Sequence, residues 1–132
     1  MTDSAMLGLP YMDAAQSQKH ITHNEALALL DLSVQIALSA MNVTAVPASP
    51  VEGLRVHIGV GANGLFAGHA GKIAARQDGA WRFLIPRAGW IVWVSSTGDL
   101  FIHDGLEWKS VSASVRELQK LDRLGVGTLA DA

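Results

Sequence analysis

The segment from Asp78 to Val94, which reads DGAWRFLIPRAGWIVWV, limits the fold of this chain more than any other stretch. Its first two residues, Asp-Gly, are a strong signal for a two-residue hairpin turn. Aromatic and β-branched side chains, which favour strands, dominate the rest of the segment. Pro86 to Gly89 turns the chain again. The segment therefore predicts two antiparallel strands, residues 80–85 and 90–94.

Three of the four tryptophans lie in this segment, and strand geometry predicts where they point. Successive side chains on a strand alternate between the two faces of a sheet. Trp81, Phe83 and Ile85 therefore share one face. Trp90 and Trp93 are an odd number of residues apart, so we expect one of them to point away from the packed side.

The same period-two alternation begins at Leu54, where apolar residues alternate with Arg55, His57 and Gly59. Further strand candidates, separated by glycine-containing turns, are residues 65–69, 72–76, 100–103 and 106–111. Closely spaced strands with tight turns predict an antiparallel β domain over residues 54–111, either an open meander or a small barrel.

The N-terminal part predicts one long helix. Residues 1–12 indicate an extended arm that docks on its own domain or on a neighbouring copy. Asp13 and Gln16 have capping-box spacing, and neither Gly nor Pro follows up to Met41. We therefore expect a helix over residues 13–42.

The polar face of this predicted helix is narrow, which is typical of a helix buried from more than one side. One partner would be the sheet of the same domain, and the other would be the same helix of another subunit. The predicted oligomer interface has near-heptad spacing and consists of Leu27, Leu30, Val34, Ala37 and Met41. The alternative is a central helix wrapped by its own sheet.

Three shorter regions complete the predicted organisation. Residues 43–53 contain two prolines and form an extended connector. A capping box from Ser114 to Glu117 opens a short helix, predicted over residues 112–124. Residues 125–132 have no partner in the chain and resemble the start of a missing distal module. The predicted fold class is α+β, with a long N-terminal helix packed on an antiparallel β-meander or small barrel and a short C-terminal helix.

Composition narrows the function classes. The chain is 49% hydrophobic and only 17% charged, which favours burial against further copies of itself. A net charge of −2 argues against a nucleic-acid partner. We expect neither a membrane span nor a signal peptide. The chain has no cysteine, which excludes disulfides and thiolate chemistry.

The sequence contains no catalytic constellation. His20 and His23 are three residues apart on the predicted helix, but no recognised zinc spacing accompanies them. Asp78, Asp99 and Asp104 lie beside glycines or within turns, and turn chemistry explains them. We therefore expect a non-enzymatic protein without catalytic residues, metal or cofactor.

Three residues are candidate carbohydrate contacts, namely Trp93, Trp108 and Arg82. An aromatic side chain on an open face, with polar groups nearby, can stack on a sugar ring. The alternative is that outward tryptophans cover the arm or a neighbouring copy.

Three blocks of the chain resemble a known family. They read LPYMDAAQSQKHITHNEALALLDLSVQ, FAGHAGKIAARQDGAWRFLIPRAGWIVWV and LFIHDGLEWKSV. Together they are similar to an uncharacterised domain family of alphaproteobacterial prophages and gene transfer agents. The resemblance covers residues 7–111 and implies the N-terminal domain of a longer spike or fibre protein.

This resemblance implies a structural or adhesive module of a phage-like particle. Such a protein would be made in the bacterial cytoplasm and would end on the particle surface. Its partners would be further copies of itself, other virion proteins and host surface polysaccharide. Fibre symmetry favours a trimer, with a pentamer as the alternative. The second hypothesis is a carbohydrate-binding accessory module of a capsule or cell-wall hydrolase.

Overall fold

The structure is a computed structural model and describes residues 3–11 and 19–120, with the backbone alone at residues 19 and 20. Within these residues the chain is mostly β, with seven strands and two short helices. The elements are α1 (Lys19–Ser33), β1 (Ile36–Leu38), β2 (Arg55–His57), a 3₁₀ turn (Gly64–Phe66), β3 (Ile73–Gln77), β4 (Ala80–Leu84), β5 (Ile91–Val94), β6 (Asp99–His103), β7 (Trp108–Ser110) and α2 (residues 111–120).

The strands form two sheets that meet at a corner. One sheet has the order β1-β5-β6-β7 and the other has the order β2-β3-β4. All neighbours are antiparallel except β1 and β5, which run parallel. The corner lies where the chain after β1 bonds to β2, as Ser39 N–H donates to the Arg55 carbonyl (2.8 Å) and His57 N–H donates to the Ala40 carbonyl (3.1 Å).

The main core fills the space between the two sheets. It consists of buried side chains from α1, β1, β3, β4 and β5, among them Leu32, Leu38, Ile73 and Val94. A second cluster around Phe66 covers the opposite face of the three-stranded sheet. The three-stranded sheet is therefore packed on both faces. The four-stranded sheet is packed on one, and its other face carries exposed side chains.

The prediction of one long helix over residues 13–42, packed on a meander, was wrong. Helix α1 ends at Ser33, and Gln35 adopts a left-handed backbone conformation with φ of +51°. The chain then enters β1, where Ile36 and Leu38 are buried and Ala37 is exposed. Because β1 pairs with β5, its backbone N–H and C=O groups form hydrogen bonds at the same time as its apolar side chains are buried. Residues 13–18 of the predicted helix lie outside the described residues.

The five predicted interface residues therefore do not form a helical stripe. Leu27 and Leu30 lie on α1, and Val34 follows its end. Ala37 lies in β1 with its side chain exposed, whereas Met41 packs against the main core. These residues form no heptad seam, because they are divided among α1, β1 and the segments that follow each of them. Their contact with another subunit stays a prediction.

Most of the strand predictions correspond to observed strands. Asp78 and Gly79 form the predicted hairpin turn, with φ values of +52° and +76°, as a type I′ turn requires. The predicted strand over residues 65–69 was wrong, because a 3₁₀ turn there buries Phe66 beneath the three-stranded sheet. The second helix occupies residues 111–120. Residues 121–132, including the predicted distal start, lie outside the described residues.

The N-terminal segment folds back on itself and docks on α1. A bridge joins Asp3 to Pro10, and the turn between them is held by Asp31. This fully buried carboxylate accepts hydrogen bonds from the Ser4 hydroxyl (2.7 Å), from Met6 N–H (2.9 Å) and from Leu7 N–H. Residues 3–11 of the predicted arm thus pack on their own domain.

Candidate functional site

The open side of the four-stranded sheet carries a row of exposed apolar side chains. Strand register places Ile91 opposite Ile102 and Trp93 opposite Leu100, all on the side away from the core. Their exposed fractions are 55%, 39%, 45% and 41%, respectively. Parallel pairing of β1 adds Ala37 beside Trp93. We call these five residues the outer face.

Helix α2 extends this apolar surface at its β7 edge. Val115 and Leu118 of α2 are exposed, and they line a groove of about 280 Å³ together with Ile102. Two charged residues also line the groove, Lys109 and Asp104, and the Lys109 ammonium lies 3.3 Å from the Asp104 carboxylate. The outer face is wholly apolar, whereas the groove also has polar lining residues, among them Ser110 and Ser114.

The three candidate carbohydrate contacts do not lie together. Trp93 lies on the outer face, whereas Trp108 lies on the opposite side of the same sheet and packs against the main core. Arg82 belongs to β4 of the other sheet. Trp90 packs against the core while Trp93 is exposed, which confirms that the two point to opposite sides.

Arg82 lies in a separate pocket of about 520 Å³ beside α1, with Tyr11 and Asn24 among the lining residues. Its guanidinium donates to the side-chain oxygen of Gln77 (2.8 Å), and the Gln77 amide donates to the Ala28 carbonyl of α1 (3.1 Å). Burial, followed by the charge of Asp31, raises the pKa of Tyr11. The bonds through Gln77 fasten α1 to the three-stranded sheet, so Arg82 has a structural role here.

A cleft that the sequence did not predict lies between the two sheets. Its volume is about 360 Å³, and its lining includes His57, His103 and Trp108. Both histidines are more than nine-tenths buried. His57 comes from β2 and His103 from the end of β6, which are 46 residues apart in the chain (103 − 57). Only the corner between the sheets brings them to one cavity, so no local motif marks them.

A family model described as "Protein of unknown function (DUF2793)" matches residues 23–109. The chain belongs to this family. The matched residues of the DUF2793 domain include all of the outer face and both cleft histidines, but not the N-terminal turn or α2. A search of curated proteins found no match.

The acidic residues at turns of the DUF2793 domain hold backbone geometry. Backbone N–H groups of Glu107 and Leu106 donate to Asp104 and lower the pKa of its carboxyl to about 2. The hydroxyls of Ser110 and Ser112 likewise lower the pKa of Asp99. Each carboxylate closes a loop by accepting local hydrogen bonds.

Metal binding and membrane insertion both require features that can be checked in the described part of the chain. No three His, Asp or Glu side chains there lie close enough to hold one metal ion. No helix there has both the length and the apolarity needed to cross a bilayer. The surfaces left to explain are the outer face, with its adjoining groove, and the inter-sheet cleft.

Proposed function

We propose that this chain is a non-enzymatic structural and adhesive module of a phage-like particle, part of a head spike or fibre, that works as a homo-oligomer on the particle surface. Two things support this proposal: the resemblance of the three sequence blocks, and the open outer face. The outer face carries the argument, since large contiguous apolar patches on soluble domains generally mark interaction sites.

The chemistry of the outer face fits a protein partner better than a sugar. Sugar recognition needs hydrogen-bonding groups beside the aromatic ring, because a sugar's hydroxyls must be paired once they leave water. Around Trp93 the outer face offers aliphatic side chains, and nearby Lys109 is already paired with Asp104. A second copy of the chain offers the same apolar surface, on which these side chains can pack without leaving hydrogen-bonding groups unpaired. We therefore assign the outer face to contact between copies.

The expected strength of this contact follows from the exposed fractions. Fully burying a large apolar side chain stabilises by about 1.5–3 kcal/mol, so each half-exposed one on the outer face contributes about 1 kcal/mol. Four such side chains on each of two copies contribute about 8 kcal/mol. Association itself costs about 4–15 kcal/mol, so the outer face alone supports millimolar association at best. Micromolar assembly requires that Val115 and Leu118 of the α2 groove are buried as well.

A trimer about one axis is the arrangement we favour, with a pentamer as the alternative. In either, the outer faces turn toward the axis and the cleft side of each copy stays free. Other virion proteins and host surface polysaccharide are the proposed further partners.

Location on a particle is the part of the proposal that needs its own experiment. Particles purified from the bacterium that encodes this chain would be labelled with antibody against residues 19–120 and imaged by electron microscopy. We expect labelling at discrete surface positions. Detection of the chain in the lysate but not on purified particles would contradict the proposal.

A further inference from the structure

The inter-sheet cleft contains two imidazole rings whose orientation is fixed by the backbone. The Asn42 N–H donates to Nδ1 of His57 (3.1 Å), and the Gly105 N–H donates to Nδ1 of His103 (3.1 Å). A neutral imidazole has one donor and one acceptor nitrogen. Because Nδ1 accepts in both rings, each proton is on Nε2, and each histidine is an Nε2–H donor.

These two donors have no acceptor among the described residues. The indole N–H of Trp108 belongs to a residue that lines the same cleft, and its ring meets the His103 ring edge-on with 4.8 Å between the ring centroids. This N–H is buried without an acceptor, whereas the two Nε2–H groups keep some contact with solvent. Buried polar groups in folded proteins are nearly always paired, so the unpaired indole N–H beside two histidine donors calls for a partner. Burial, and then the nearby His103, lower the pKa of His57, which keeps its ring neutral.

The tautomer and the surrounding charges restrict what that partner is. A metal ion would need the Nε2 lone pair, which the proton occupies. An anion would meet the carboxylate of Glu107, and no Lys or Arg is among the described residues that line the cleft. An uncharged ligand with several hydroxyls avoids both conflicts, because its oxygens accept from the Nε2–H groups and its hydroxyls donate to Glu107.

The apolar walls of the cleft fit the same ligand class. Phe101, Met41 and Trp108 line it beside the histidines, and a sugar ring has C–H faces that pack on such side chains. The volume of about 360 Å³ lies at the small end of ligand pockets, which span roughly 300–1,000 Å³, and suits one ring rather than a long chain.

From these observations we infer that the cleft between His57 and His103 binds one neutral sugar unit of a polysaccharide. The inference rests on the proposed adhesive function. It places the sugar contact in the cleft and not at Trp93 or Arg82. Of the three carbohydrate contacts predicted from the sequence, only Trp108 belongs to this site.

The test begins with the imidazole protons of the intact chain. Two-bond ¹H–¹⁵N spectra are expected to show both histidines as Nε2–H tautomers. Methyl glycosides of common neutral hexoses and N-acetylhexosamines are then titrated to millimolar concentration. At least one is expected to shift the His57, His103 and Trp108 ring signals in a saturable way. Acetate, phosphate and Zn²⁺ serve as anion and metal probes and are expected to leave these signals unchanged.

Variants separate binding from folding. His57→Asn and His103→Asn each keep an acceptor for the backbone N–H but remove the Nε2 donor. Each is expected to weaken glycoside binding about tenfold, the factor for one lost neutral hydrogen bond. His23→Asn, on the exposed side of α1, is the matched control and should bind as the parent does.

Several results would overturn the inference: Nδ1–H tautomers, saturable shifts with acetate, phosphate or Zn²⁺ but with no glycoside, no response to any probe, or glycoside binding unchanged in both Asn variants. Trp93→Ala distinguishes this inference from the proposed function. It is expected to weaken self-association while leaving glycoside binding intact. A chain that sits on particles but binds no glycoside would refute only the cleft assignment.

Discussion

The buried carboxylate of Asp31 allows the sharpest prediction about stability. Its Oδ1 accepts from the Ser4 hydroxyl and from Leu7 N–H, and its Oδ2 accepts from Met6 N–H. Asp31→Asn keeps the size of the side chain but replaces one acceptor oxygen with an NH₂ donor. If the amide oxygen keeps the Oδ1 position, the Met6 N–H faces a donor and loses its bond.

The magnitude follows from these three bonds. Losing a hydrogen bond to a charged group costs about 1.5–3 kcal/mol, and weakening two others to neutral strength costs about 0.5 kcal/mol each. We therefore expect Asp31→Asn to lower the free energy of unfolding by about 2.5–4 kcal/mol. Burial lowers the pKa of Arg55 and the Asp31 charge opposes this, so losing that charge adds to the effect.

The assay combines urea denaturation, followed by tryptophan fluorescence, with amide hydrogen exchange. Met6 and Leu7 amides should lose protection in Asp31→Asn, because the N-terminal turn undocks. Ser4→Ala should cost about 1–2 kcal/mol and should be non-additive with Asp31→Asn. Glu25→Gln, an exposed change on the same helix, should stay within about 0.5 kcal/mol. A loss below about 1 kcal/mol in Asp31→Asn with both amides still protected would refute the reasoning.

Two further predictions concern the corner between the sheets and the β6–β7 turn. A Cβ at Gly59 would lie 2.9 Å from the backbone of Asn42, so Gly59→Ala should lower the free energy of unfolding by about 3 kcal/mol. Gly68→Ala is the control, because an added Cβ there meets open space and only the φ of +80° is unfavourable, so it should cost about 1 kcal/mol. Equal losses of unfolding free energy for the two variants in urea denaturation would contradict this account. The Asp104 carboxyl has a pKa lowered to about 2, so its stabilisation is present above its ordinary value of 3.8 and is lost as pH falls toward 2. The difference in unfolding free energy between the parent and Asp104→Asn should therefore shrink over that interval, and a constant difference would count against the turn assignment.

The strands were predictable because their signals are local. Asp78 and Gly79 specify a turn by their own backbone preferences, and the alternation on either side specifies two faces. The odd spacing of Trp90 and Trp93 predicts that one points outward. Which of the two does so depends on the position of the core, and that information is not local.

The end of α1 was not predictable in this way. Residues 34–41, VQIALSAM, contain neither Gly nor Pro and have an apolar pattern compatible with a helix. What makes residues 36–38 a strand is parallel pairing with β5, more than fifty residues later in the chain (92 − 36 = 56). Gln35 takes the left-handed conformation that usually marks glycine or asparagine, so the helix end lacks its common signal. The cleft histidines were missed for the same reason, since only tertiary structure brings them together.

The central claim is that the outer face joins copies of this chain, and sedimentation equilibrium of two matched variants tests it most directly. Ile102→Asp places a charge on the outer face, whereas Ile85→Asp places the same charge at an exposed isoleucine after β4. We expect the parent chain and Ile85→Asp to associate at micromolar concentration and Ile102→Asp to remain a monomer there. A monomeric parent chain across that range, or equal association of both variants, would contradict the account.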